Sequence, residues 1–481
     1  MKHKNIKKLE KALQPIRFRE SSTTPHETDG RTPFDSDFSR VALSASVRRL
    51  KDKTQVFPLA DYDFVRNRLT HSLEVMTIAR GLGLGVEKML KKNEGLDLIY
   101  LDINNPLRNA ISKTLEVAAL VHDIGNPPFG HKGEKAVQDF FKKKEGFVSQ
   151  YVYSDQLTDL ERADLQNIEG NVQGFRILRH LALAKDEFSF NLTKPVLACV
   201  IKYPFNSIDG NKDDKWHPFR KKFGFLHSEA ADYNNICETL GLTYGRRHPL
   251  TYLLEAADDI TYNACDLEDG FKEGVISIKN IKACLTPKIV NDEEIVKCIN
   301  QLNDQDDQLT QEIAMQDLRI KIQSKMIIAC TKEFVDKIDK FVNGTYNRPL
   351  LSGTPFKKLS QALGSLDKYN FKSNQVLSKE ADGIYKMQYI LDGLASAMVM
   401  LNEKSDKLAP EYQLYMKISP NYRKAACDKG KEIPSSLYKK MLLVTDYIFG
   451  MTDGFVHMVY DDEKFRELIM RVKCKIDNQK L

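Results

Sequence analysis

Apolar residues recur at intervals of three and four along most of the chain, and strict apolar–polar alternation is rare. That periodicity predicts a mostly helical protein. The stretch "SRVALSASVRRLKDKTQVF" reads as one helix with basic residues near its end. In "NRLTHSLEVMTIARGLGLGV", Leu69, Leu73, Met76 and Arg80 lie along one side of a helix, which the glycines after Arg80 are expected to stop. "SKTLEVAALVHDIG" is the most apolar helix, with Gly125 as its predicted C-terminal stop. "EKAVQDFF" follows as another helix, and "HPLTYLLEAADDITYNACDLEDG" predicts a long amphipathic one. Residues 275–345 are charged and helical in pattern, with "NDEEIVKCINQLNDQDDQLTQEIAMQD" expected to be largely solvated. "YKKMLLVTDYIFGMTDGFVHMVY" is helix-like and broken at Gly450. By contrast "ESSTTPHETDGRTPFDS" is polar, rich in turn formers and expected to be mobile. The chain then divides into an N-terminal polar and basic segment (1–38), a core region (39–275), a helical insertion region (276–400) and a C-terminal helical region (401–481) that completes a site in the core or an oligomer interface.

Composition changes this picture little. Of 481 residues, 42% are hydrophobic and 29% charged, the balance of a globular protein with a large core. A net charge of +6 is a mild bias that suits an anionic ligand without pointing to nucleic acid. Eight scattered cysteines with no CxxC pair argue against a disulfide framework and a cysteine-type zinc site. No apolar run approaches the ~18 residues of a membrane span, and "MKHKNIKKLEKALQPIRFRE" has no apolar signal core, so the expected location is cytoplasmic.

Chemistry concentrates in "LVHDIGNPPFGHKGE", which holds two of the ten histidines, an aspartate and a glutamate. An apolar helix delivers His122-Asp123 to an interior position, where buried charge needs a partner and a cation is the obvious one. His71 lies on a second helix and Asp258 on a third. Drawn from three helices, His71, His122, Asp123 and Asp258 make a set able to fix a divalent metal inside a bundle while leaving open positions. Arg68 precedes His71 by three residues and shares its helix face, a position suited to a phosphate contact.

The order H…HD…D is the signature of the HD-domain phosphohydrolase superfamily. The blocks "RRLKDKTQVF", "RNRLTHSLEV", "HDIGNPPFGHKGE", "EGNVQGFRIL", "DDITYNACDLEDG" and "DYIFGMTDGF" resemble, in order, those of the bacterial deoxyguanosinetriphosphate triphosphohydrolases. This resemblance implies an all-α fold, an HD-type helical core with helical insertions. It implies His71, His122, Asp123 and Asp258 as metal ligands, for Mn²⁺, Mg²⁺ or another first-row ion. The implied reaction is water attack on the α-phosphorus of a dNTP, of dGTP preferentially or of several dNTPs, releasing deoxynucleoside and tripolyphosphate. A 5′-alkoxide is a poor leaving group, so a positioned proton donor matters. His131 is assigned as general acid/base, with Glu134 one turn later as the carboxylate that orients it and raises its basicity. Lys202 in "IKYP" and Asn171 in "EGNVQ" are similar to substrate-site residues. Asp258, Tyr262 and Asp266 recur at i, i+4 and i+8, one stripe of a helix. By resemblance Tyr262 packs on the deoxyribose and excludes a 2′-hydroxyl, Asp266 accepts from the 3′-OH, and Gln55 joins that sugar contact. Arg423, in "SPNYRKA", is a candidate nucleotide contact across a subunit boundary. The resemblance also implies a homo-oligomer, tetramer or hexamer, and allows a dNTP or single-stranded DNA effector.

Two other readings compete. An HD phosphohydrolase acting on a cyclic nucleotide or ppGpp has no use for a sugar gate built from Tyr262, Asp266 and Gln55. A catalytically idle nucleotide sensor, or a nucleic-acid-binding protein that keeps only the pocket, has no use for all four ligands together with His131 and Glu134.

Overall fold

The computed structural model describes residues 2–19, 30–55, 66–94, 107–182, 186–210, 214, 217–286, 289–370 and 374–479, so residues 20–29 of the stretch expected to be mobile lie outside the described residues. The regular elements of the described residues are all helices, joined by turns and loops, with one isolated antiparallel bridge, Thr54 to Asn67. Among them no helix is long and apolar enough to cross a membrane.

Nine helices frame the site and its supports: α1 (Arg68–Glu94), α2 (Ala110–Val121), α3 (Gly130–Lys142), α4 (Gly170–Arg176), α5 (Thr251–Lys272), α6 (Gln308–Asp336), α7 (Asn374–Met400), α8 (Leu437–Gly450) and α9 (Asp453–Asp461). At the centre lies α2, in which every residue from Ala110 to Val121 except Lys113 is buried. A helix so largely apolar has to be covered on most sides, and its charged groups are paired, Lys113 with Asp35 and Glu116. α1 and α5 pack on it, and α6 packs in turn on α1 and α5.

α1 departs from its expected length and face. It runs unbroken through Gly81, Gly83 and Gly85 to Glu94. A glycine inside a helix costs about 1 kcal/mol relative to alanine. Here the missing side chains let neighbours close in. A Cβ at Gly83 would fall 2.5 Å from Ser112 Cα on α2, and one at Gly85 would fall 3.0 Å from Thr331 on α6. The buried stripe is Val75, Ala79, Leu82, Val86 and Leu90, whereas Leu73 is 43% exposed. The stripe expected from Leu69 to Arg80 is therefore rotated away from the core, because the close α1–α2 contact is made by the small residues.

Two other expectations change. The single helix expected from Ser39 is broken at Leu43, where the Ser44 hydroxyl accepts from Val47 N–H at 3.2 Å and caps a new short helix, Ala45–Arg48. A serine so placed restarts a helix better than it continues one. The stretch 291–317 is largely solvated, as expected, with most of its residues exposed and a few apolar ones turned inward. Asp292 and Asp307 cap two helices, and Ile295, Ile299, Met315 and Leu318 are buried. Two of its acids mark helix starts, and of its apolar residues on α6 Met315 joins the core while Leu309 and Ile313 are exposed. The helix expected to stop at Gly125 ends earlier, at Val121 with His122 as its C-cap, and Gly125 lies in the turn beyond, where a Cβ would fall 2.1 Å from Gly170 O and Gly174 N.

The C-terminal helices are tied to this core by buried charge. Asp446 on α8 accepts from Gln173 Nε2 at 2.8 Å and from Arg176 Nε and Nη2 at 2.8 and 2.9 Å. Arg176 also donates to Glu229 at 2.6 Å. α8 ends at Gly450, as expected, and Thr452 caps α9 by accepting from Phe455 N–H.

Candidate active site

Three helices bring the expected ligands together. His71 sits in the first turn of α1, His122 at the end of α2, and Asp258 in the first half of α5. One ligand atom from each of His71, His122 and Asp258 lies within 4.8 Å of the others. His71 Nε2 is 3.2 Å and His122 Nε2 3.6 Å from Asp258 Oδ1. The two imidazole centroids are 5.5 Å apart. His122 Nδ1 is tied to the Ala119 carbonyl at 2.7 Å, and its Nε2 is buried without a hydrogen-bond partner. A buried nitrogen left open while the other ring nitrogen is oriented by a carbonyl is the arrangement a metal ligand needs. The residues present therefore fit a divalent ion.

Asp123 stands at the edge of this cluster. Its Oδ1 is 3.6 Å from His122 Nε2, while Oδ2 accepts from Arg68. Arg68 is thereby joined to the site from the turn of α1 before His71. Burial alone would lower the proton affinity of His122, but the carboxylates of Asp123 and Asp258 override it and raise the pKa to about 9. Asp123 resists the pull of burial because His122, Arg68 and His71 surround it, and it stays near 2. A nitrogen so protonated must release its proton to become a ligand, which couples metal binding to pH.

His131 and Glu134 form a second pair nearby. The chain leaves Asp123 through a Pro-rich turn and re-enters helix at α3, with Phe129 and Gly130 both left-handed (φ 59° and 54°). His131 therefore lies inside the first turn of α3 and not ahead of it. Its Nδ1 faces Glu134 Oε2 at 3.0 Å, and Glu134 Oε1 accepts from Gly170 N–H at 2.8 Å. The imidazole is 89% exposed and the carboxylate only 7%. An anchored carboxylate thus holds an accessible imidazole. The hydrogen bond His131 donates to Glu134 raises the His131 pKa above its ordinary value, ahead of the opposing effect of burial. Burial would raise Glu134, yet His131 and Lys222 hold it below the usual range.

The remaining expected residues divide. Lys202 reaches Glu255 at 3.5 Å. Burial would lower its pKa, but Glu255, with Asp258 and Asp259 behind it, holds it raised. Asn171 donates to Glu169 at 3.1 Å. Tyr262 and Asp266 follow Asp258 along α5, half-buried and buried respectively. Gln55 has its Oε1 buried and unmatched among the described residues. Arg423 is not drawn to this cluster: it donates to Ile418 O and Met416 Sδ and lies over the Tyr415 ring.

Several supports carried no expectation. Arg66 binds Glu74, Glu268 and Asp269, and so sets the start of α1 against the end of α5. Lys222 pairs with buried Glu169, next to Gly170 and Asn171. Lys53 Nζ donates to the carbonyls of Asn126 and Phe449. Arg66, Lys53 and Glu169 lie inside the blocks "RNRLTHSLEV", "RRLKDKTQVF" and "EGNVQGFRIL", so the blocks were the signal; Lys222 lies in a stretch with none.

The HD domain family matches residues 68–183, a span that includes His71, His122, Asp123, His131 and Glu134. Over 467 residues the chain is 35% identical to a deoxyguanosinetriphosphate triphosphohydrolase-like protein of Listeria monocytogenes, covering 94% of this chain and 98% of the relative. A protein of the same description from Synechocystis sp. is 33% identical over 442 residues, 89% of this chain and 93% of its own. The deoxyguanosinetriphosphate triphosphohydrolase of Yersinia pestis is 29% identical over 493 residues, 92% and 96%. With likeness running over nearly the whole length and the HD constellation assembled, the chain belongs to the deoxyguanosinetriphosphate triphosphohydrolase family of HD-domain nucleotide phosphohydrolases.

Proposed function

We propose that the protein hydrolyses deoxynucleoside 5′-triphosphates, dGTP among them, to deoxynucleoside and tripolyphosphate by water attack at the α-phosphorus. The observation that carries this reading is the meeting of His71, His122 and Asp258 beside the anchored His131–Glu134 pair. His71, His122 and Asp258, with Asp123 as fourth ligand, would hold Mn²⁺, Mg²⁺ or another first-row ion. Such an ion supplies Lewis-acid polarisation of phosphate oxygens and offsets their charge.

The chain's own groups do the rest. Protonated His131 donates to the departing 5′-oxygen, and Glu134 orients the ring and stabilises its charge. Arg68 and Lys202 offset triphosphate charge, and Asn171 hydrogen-bonds the same end of the substrate. Tyr262 packs against the deoxyribose where a 2′-hydroxyl would sit. Asp266 accepts from the 3′-OH, and the unmatched Gln55 Oε1 takes a sugar hydroxyl, which removes an unsatisfied buried acceptor. Arg423, with local contacts in its own chain, serves a substrate only from a second copy in a homo-oligomer.

The test is to supply each dNTP and NTP with Mn²⁺ or Mg²⁺ and identify the phosphate product. Tripolyphosphate from dNTPs supports the reading. Orthophosphate, pyrophosphate, or equal turnover of GTP and dGTP removes it.

A further inference from the structure

We propose that Asp453, the first residue of α9, is a positioning residue that registers the Gln55 wall of the site against the His131 wall; the proposal rests on the roles given to those two residues above. Its side chain is buried, with the residue 2% exposed. Oδ1 accepts from Phe129 N–H at 3.1 Å. Oδ2 accepts from Thr54 N–H at 3.1 Å and from the Thr54 hydroxyl. Thr54 immediately precedes Gln55, and Phe129 stands two residues before His131. One carboxylate, 399 and 324 residues away in the chain, thus holds both segments.

Three features separate this from ordinary helix capping. Thr452, not Asp453, caps α9, leaving the Asp453 carboxylate to point away from its own helix. Both bonded segments lie outside helices: Thr54 is held to the start of α1 by an isolated bridge, and Phe129 lies in the turn before α3. Phe129 is also left-handed at φ 59°, a conformation that costs a non-glycine residue about 1 kcal/mol or more and persists only where its surroundings enforce it. The surroundings do so. Its N–H is taken by Asp453, and its ring lies so close to α7 that a Cβ at Gly383 would fall 2.3 Å from it. Lys53 adds a second tie of the same kind, joining Asn126 in the turn to Phe449 at the end of α8. The joint between α8 and α9 therefore sets the spacing between sugar recognition and proton donation.

Asp453→Asn preserves volume and one acceptor but replaces the other by a donor that faces an N–H. Hydrogen exchange of this variant should quicken at the amides of Thr54 and Phe129 together and leave α2 unchanged. Its KM for dGTP should rise on the order of tenfold, since small misplacements at a site are amplified, while Mn²⁺ affinity stays as in the wild type. In a double-mutant cycle, Asp453→Asn and Gln55→Ala should be non-additive in dGTP over GTP discrimination, which a general loss of stability would not produce. Unchanged exchange at either amide, or an additive cycle, overturns the proposal. If Asp453→Asn does not fold, Thr54→Val removes the hydroxyl donor alone: exchange should then quicken at residue 54 and the cycle with Gln55→Ala should again be non-additive, and failure of either overturns the proposal. Failure of the hydrolase reading shows separately, as absence of tripolyphosphate from the wild type, and the exchange result still decides the registration.

Discussion

Replacing His131 by alanine isolates the proposed proton transfer from everything else in the site. The side chain is 89% exposed and its partner Glu134 keeps the bond from Gly170, so folding should be nearly untouched, within about 0.5 kcal/mol. His131 is also absent from the group of His71, His122 and Asp258, so metal affinity should persist. Loss of a general acid typically lowers the rate by ~10²–10⁴, about 2.7–5.4 kcal/mol of barrier at 1.36 kcal/mol per tenfold. Turnover of dGTP, followed as released tripolyphosphate, should fall by that factor with dGTP binding retained. Glu134→Gln supplies the sign. Glu134 raises the His131 pKa, so the protonated donor survives to higher pH and activity declines as pH rises through that raised value. The glutamine variant should move this alkaline limb toward lower pH. An unmoved limb, or loss of the metal from His131→Ala, would refute the division between donor and ligands.

Other consequences are more direct. His122→Ala should abolish divalent-ion binding by calorimetry, and chelation of the wild type should stop turnover until Mn²⁺ or Mg²⁺ is returned; retained affinity in His122→Ala would place the ion elsewhere. Tyr262→Ala should raise GTP turnover relative to dGTP, and an unchanged ratio would remove its steric role. Gly125→Ala should destabilise by about 3 kcal/mol or more in denaturant unfolding, because the new methyl meets two backbone atoms at 2.1 Å that cannot swing aside; a fold as stable as wild type would mean that the turn relaxes freely.

The helical class and most helix positions were legible because apolar spacing is a local property. α2 is the clearest case, since a helix whose final stretch, 117–121, is wholly apolar has to be central. Where local signals conflict, the sequence misleads. Three glycines in α1 read as a stop, but they mark the approach of α2 and α6, and nothing near residue 83 announces Ser112. The acids at 292 and 307 read only as charge in a solvated stretch; they also act as caps, which only the start of the following helix discloses. Motif order pointed to His71, His122 and Asp258, which the structure brings together, because each is tied to a recognisable block. Arg423 lacked such a block, and its contacts within one chain are local.

The supports were harder to read than the ligands, for a physical reason. A ligand must be a particular residue type near others of its kind, whereas a support need only present an acceptor or a charge where some distant group lacks one. Asp446 and Asp453 lie seven residues apart, yet one neutralises Arg176 on α4 and the other binds two backbone amides at the site's edges. Both answer to the same rule, that a buried charge or donor is tolerated only when paired. The C-terminal helices are therefore part of the site's geometry although they supply none of the clustered ligands. Removing a ligand should end metal binding, whereas removing one of these acids should blur the distances between groups that all remain present.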